Sequence, residues 1–145
     1  MSEYLFQQFA PEILKLHRQT AVSWLAVPQE DGDGVYSAPY AHIGGRYYFS
    51  APQDSPELAA KQGIVLIEDE ADGVRLSWVG HTREVPEDEC VYFDACAELC
   101  KRCRLSGGCL QSRRVWEFCP EQGRLNTGKY DSALSPQVLQ RALAE

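Results

Sequence analysis

From Thr20 to Thr127 the chain alternates strand-like runs with short glycine-bearing turns, and that rhythm restricts it to a small, tightly wound β architecture. Thr20–Val27 (TAVSWLAV) and Val35–His42 are rich in β-branched and aromatic residues and read as strands joined by the polar turn Gln29–Gly34. Gly44-Gly45 leads into a third run, Arg46–Ser50, and signals a hairpin because glycine accepts the positive φ of tight turns. Ile64–Glu68 reads as a buried strand. After the acidic turn Asp69–Gly73, the alternation of Val74, Leu76 and Trp78 gives Val74–Val85 one apolar face. Arg114–Phe118 and Gly123–Thr127 are predicted to form a last hairpin around Pro120–Gln122. Five or six strands with such short connections favour a small barrel.

Helices flank this core. Tyr4, Leu5, Phe9, Ile13 and Leu16 recur at helical spacing, and Pro11 marks a kink or boundary, so the better helix is predicted over 11–18. Ser55-Pro56 is predicted to open one short helix in the crossover Ala51–Gly63. Helix resumes near Pro86, where Glu87, Asp88 and Glu89 suit its positive end, and Ser135-Pro136 opens a terminal helix through Ala144.

The whole chain fits one domain over residues 1–145, long enough to bury a core without disulfide staples. Fourteen lysines and arginines stand against 21 aspartates and glutamates, a formal charge of −7 that opposes a broad nucleic-acid footprint. No apolar run approaches the roughly 20 residues that span a bilayer. The stretch MSEYLFQQFAPEILKLHR lacks the apolar centre and small-residue cleavage site of a signal peptide, so a cytoplasmic protein is expected. Under reducing conditions its six cysteines are free thiols or metal ligands rather than disulfides.

Four of those cysteines, Cys96-x3-Cys100-x2-Cys103-x5-Cys109, fall within 14 residues. Thiolates so spaced can close around one zinc ion or one [4Fe–4S] cluster, and Ser106-Gly107-Gly108 supplies a turn able to swing Cys109 back. Lys101, Arg102 and Arg104 would offset thiolate charge. On a helix, Cys96, Cys100 and Cys103 also share one face with Leu99, the pattern of packed core thiols. A redox or disulfide role is a third reading. Cys90 and Cys119 are candidate substitutes for one ligand. The spacing also matches the cluster motif of radical S-adenosylmethionine enzymes, but their large barrels and glycine-rich partner sequences have no counterpart here.

The runs VYSAPYAHIGGRYYFSAP, GIVLIEDEADGVRLSWVGHTREVPEDE and VWEFCPEQGRLNTG resemble the flavin-binding split barrels related to pyridoxamine 5'-phosphate oxidase, and most nearly the branch of haem-utilisation and haem-degrading proteins. The likeness covers roughly residues 10–130. It implies a mainly β fold, a six-stranded split barrel with peripheral helices, a homodimer, and FMN or haem at the dimer interface. The implied function is a flavin- or haem-associated protein, an oxidoreductase. The alternative is a binding or structural module that keeps the barrel, lacks the cofactor and uses its cysteines for a structural or sensing metal.

The resemblance places Ser37, Pro39, Ser50, Ser55, Trp116 and Arg124 around the ligand. The family's flavin ring runs along segments matching Ser37–Tyr40 and Phe49–Ala51. Its phosphate-binding segment resembles HTRNL; here DSPEL keeps the hydroxyl at Ser55, puts Pro56 where arginine is expected and adds Glu57. Trp116 is either core packing or a cofactor contact, and Arg124 reads as an anion partner because arginine is seldom buried alone. The haem-degrading relatives carry a C-terminal haem-binding histidine that has no match here. His17, His42 and His81 are the histidines of this chain, each read as a structural or surface residue or a haem ligand. The cysteine-rich segment, at about 90–112, is an insert relative to that family.

Overall fold

The structure, a computed structural model, describes residues 3–20, 22–29, 32–52, 61–103 and 113–144. Among them the elements run α1 (Glu3–Gln19), β1 (Val22–Gln29), β2 (Gly32–Ile43), β3 (Arg46–Pro52), β4 (Lys61–Asp69), β5 (Val74–Glu84), α2 (Cys90–Cys103), β6 (Arg113–Asn126), β7 (Asp131–Leu134) and α3 (Pro136–Leu143). The strands pair in the order β3-β2-β1-β4-β5-β6-β7, and β3 also pairs with β6. That second pairing closes six strands into a barrel and leaves β7 as an appended strand. Mainly β structure with peripheral helices is therefore present, as the turn spacing and the resemblance predict.

Two predictions are corrected. The hairpin around Pro120–Gln122 is absent: β6 runs unbroken from Arg113 to Asn126. Its pairing to β5 passes from Gly80↔Pro120 to Val79↔Gln122, so Glu121 is an extra residue in a β-bulge. The bulge accommodates the residues that read as a turn, and the strand continues because β5 supplies a partner along its length. The first helix passes through Pro11, because Phe9, Ile13 and Leu16 all bury against the barrel and hold the segment helical on both sides of it. The expected helix at Ser55-Pro56 lies outside the described residues.

Strand alternation divides the side chains between the barrel interior and its outer wall. Leu25, Val27, Tyr47, Phe49, Val65, Ile67, Leu76, Trp78, Phe118 and Leu125 point inward and are buried. Phe9, Ile13 and Leu16 of α1, with Val138, Leu139 and Ala142 of α3, join the same core. His17, fully buried, donates from Nδ1 to the Ile13 carbonyl at 2.7 Å, so a neutral ring accepts the Tyr47 hydroxyl at Nε2 (2.8 Å). It is a satisfied core histidine. Gly123 is required where it stands, since an added Cβ would lie 2.4 Å from the Trp78 ring.

Helix α2 covers the outer wall on one side. Leu99 packs on Ala41 of β2, while Ala95 and Val91 pack with Tyr48 and Val115. At the start of α2 a buried carboxylate, Glu117 of β6, accepts hydrogen bonds from Arg83 Nε (2.8 Å), Tyr48 Oη (2.7 Å) and Arg46 (3.1 Å). Arg83 also clasps Glu89 with two bonds of 2.9 Å, tying the residue before α2 to the barrel. Burial alone would raise the Glu117 carboxyl; the bonds from Arg83 and Tyr48 and the charge of Arg46 outweigh it and hold the group below the ordinary carboxylate value.

Glu117→Ala strands Arg83 and Tyr48 in this partly buried network, and we expect it to cost about 3 kcal/mol in denaturant unfolding. Because the folded carboxyl is the stronger acid, its contribution is present above the unfolded carboxylate's range and is lost as pH falls through and below it. Stability curves for wild type and Glu117→Gln should therefore converge on acidification; parallel curves would show that the network does not set the acid limb.

Candidate functional site

On the other side of the barrel the outward positions line up in rows. One row crosses Ser37, Trp24, Leu66, Ser77 and Arg124 on β2, β1, β4, β5 and β6. The next crosses Val35, Ala26, Ile64, Val79 and Gln122. Val35 is 60% exposed, Val22 51%, Ile64 49% and Trp24 46%. Four large apolar side chains in adjacent positions form a patch, not scattered surface residues, and such patches mark binding surfaces. A groove of about 320 Å³ runs beside them between Ala26, Val35, Ile64 and Val79.

Among the described residues, charge lies at the margin of this face. Arg124 Nε donates to Asp131 at 2.6 Å and Arg75 Nε to Glu68 at 3.3 Å. The Asp131 hydrogen bond, then its charge, raise the Arg124 pKa above its ordinary value. His81 of β5 contacts Glu121, the bulge residue, through Nδ1.

The sequence-derived site residues separate into three places. Ser37, Pro39 and Arg124 lie on the open face, with Arg124 exposed and paired rather than buried. Ser37 and Arg124 stand four inter-strand steps apart, about 19 Å around the barrel. Trp116 is buried in the interior core, paired with Phe49 across the closing seam. Ser50 is buried on β3 opposite Val115. Ser55 lies outside the described residues.

Cys96 and Cys100 sit on the barrel-facing side of α2, packed against Ala41 and Leu99. Burial pushes the Cys96 thiol up. The helix is continuous through Cys103, which sets Cys96 and Cys103 about 10.5 Å apart along the axis. Two Zn–S bonds of about 2.3 Å do not span that gap, so one zinc held by all four cysteines requires the last turn of α2 to open. Among the described residues no group of three or more histidine, cysteine or acidic side chains is arranged to hold a metal. The Cys103 side chain and Cys109 lie outside them.

Sequence reasoning missed Val22, Trp24, Val35 and Ile64 as a surface. A signal was present: β1 and β4 are apolar in both phases of their alternation, as strands covered on both faces are.

No family model matches the chain, and no curated protein matches it. Solved structures do. The heme binding protein from Mycobacterium smegmatis superposes with a TM-score of 0.72 at 15% identity, covering 91% of this chain and 60% of that one. A Clostridium acetobutylicum protein related to general stress protein 26, of the pyridoxinephosphate oxidase family, gives 0.65 at 12% identity, covering 92% and 98%. The chain has the split-barrel fold. HutZ, the heme storage protein from Vibrio cholerae, gives 0.65 at 20% identity, covering 81% of this chain and 92% of that one. The split-barrel fold that the sequence resemblance implied is thus matched in three dimensions. The chain spans about 60% of the length of the mycobacterial protein. Among the described residues no helix is long and apolar enough to cross a membrane.

Arg124→Ala removes an exposed ion pair and should leave the melting temperature unmoved. If Arg124 is freed from Asp131 to hold a ligand anion, the same variant weakens that ligand alone; a loss of fold stability would instead make the pair structural.

Proposed function

We propose that this protein is a cofactor-associated split barrel that works as a homodimer and seats a planar cofactor, haem before FMN, on the open β2-β1-β4-β5 face. The observation that carries this reading is the exposed apolar patch Val22, Trp24, Val35 and Ile64 beside the groove. A groove of about 320 Å³, open to solvent, sits at the lower limit for ligand sites, which bury most of their ligand. A second copy laid across the patch would remove apolar surface from water and complete the enclosure.

The residues present fit the apolar face of a large planar ring. The patch is aliphatic and aromatic, and among the described residues the arginines of this face, Arg75 and Arg124, are engaged by Glu68 and Asp131, so an FMN phosphate and haem propionates alike would have to compete for them. The haem-binding and haem-storage neighbours favour haem over FMN. When bound, haem would supply electron or oxygen chemistry, and the chain would bind it, orient it and exclude water. An oxidoreductase activity in the cytoplasm is the corresponding cellular proposal. FMN would use the same face, with Ser37 and Pro39 along the ring and Ser55 toward the phosphate.

Purified under low oxygen, or mixed with haem and with FMN, the protein should show the absorption of a bound cofactor with micromolar or tighter affinity. A colourless protein that binds neither removes the reading. Wild type should sediment at twice 16.3 kDa, and Ile64→Glu, which puts a charge in the patch, should sediment as the monomer. A wild-type monomer would sink the dimer.

The second reading is a barrel without cofactor in which Cys96, Cys100, Cys103 and Cys109 hold one structural or sensing metal, zinc or an iron–sulfur cluster. The spacing of the four cysteines favours it. Near-stoichiometric zinc or iron in untagged, anaerobically purified protein, lost in Cys109→Ser, is the expected result; metal-free protein leaves Cys96 and Cys100 as packed thiols.

A further inference from the structure

We infer that His81 is the side chain that would ligate haem iron in this protein, with Glu121 as the carboxylate that orients it. The inference rests on the reading of the open face as a haem site.

His81 projects outward on β5, directly opposite Gln62 of β4, and Gln62 lines the groove. Cross-strand neighbours of this kind hold their Cβ atoms about 5 Å apart, so the imidazole stands at the groove's rim. Glu121 contacts Nδ1, and a carboxylate only accepts, so Nδ1 carries the proton. In the form that ligates a metal the lone pair is then on Nε2, which has no hydrogen-bond partner among the described residues. A histidine whose second nitrogen donates to a carboxylate is the arrangement that fixes tautomer and ring direction and strengthens the donor at metal sites.

An exposed histidine–glutamate pair contributes little to stability, so stability alone does not account for the backbone around it. Glu121 is the residue that the β6 bulge inserts between Pro120 and Gln122. The bulge depends on Gly80, where an added Cβ would lie 2.1 Å from the Cys119 carbonyl oxygen. Bulges of this kind redirect a side chain next to a functional site, and this one brings a carboxylate to the imidazole nearest the apolar groove. The other histidines are differently placed. Both ring nitrogens of His17 have partners in the core, and His42 packs edge-on to His17 at 5.4 Å. Cys119 lies opposite His81 and is the competing iron donor.

The test is titration of the full chain with ferric haem, followed by absorption and electron paramagnetic resonance, on wild type, His81→Ala, Glu121→Gln, His42→Ala and Cys119→Ser. Circular dichroism confirms that each is folded. Wild type should bind one haem per chain with a histidine-ligated spectrum. His81→Ala should lose that signature and weaken binding tenfold or more; Glu121→Gln should keep the ligation with a lower iron–histidine stretching frequency in the ferrous state. His42→Ala and Cys119→Ser should match wild type. Haem bound by wild type with an unchanged spectrum in His81→Ala overturns the assignment while leaving the haem face intact, as does a thiolate spectrum abolished in Cys119→Ser. Failure of wild type to bind haem overturns both.

Discussion

The antiparallel pairing of β3 with β6 is the contact on which the rest of this structure depends. It joins residues about seventy positions apart, Tyr47 with Phe118 and Phe49 with Trp116, and converts an open sheet into a closed barrel. Closure gives every inward side chain a full set of neighbours and removes two sheet edges that would otherwise present unpaired amides. It also places Glu117, at the same seam, where Tyr48, Arg46 and Arg83 converge on it. Removing the pairing would unpack the interior and the polar network together.

A closed barrel with a filled interior has only its outer wall left for function. Here α2 takes one side of that wall, held by Leu99 on Ala41 and by the Arg83 clasp on Glu89. The opposite side keeps Val22, Trp24, Val35 and Ile64 in contact with water. That asymmetry is the reason the proposed ligand and the proposed second copy share one face. The cysteine helix, on the covered side, is separate from it.

Much of the architecture was legible because short apolar runs between polar, glycine-bearing turns leave a chain few alternatives. Gly44 and Gly45 adopt the positive φ that their hairpin demands, and Val74, Leu76 and Trp78 all point inward as their alternation predicts. The misreadings occurred where a distant partner overrode a local signal. Pro120–Gln122 carries the composition of a turn, yet β5 pairs with β6 on both sides of it and absorbs Glu121 as a bulge. Pro11 reads as a boundary, yet the core residues before and after it keep the helix running. Arg124 reads as an anion partner, and its anion is Asp131, seven residues on and joined through β7, a strand too short to show as a period.

By itself the sequence determined most of the strands and their phases, because those follow from side-chain alternation and turn chemistry within a few residues, and its motifs carried the resemblance to a family of barrels. Only the tertiary structure decided which outward residues share a face. Ser37 and Trp116 look equally eligible along the chain, but one lies on the open wall and the other inside the barrel. His81 and Glu121 are forty residues apart and meet through a single extra residue in β6. The physical reason is that register between strands is set by long-range pairing, and a slip of one residue would send each of these side chains to the other face.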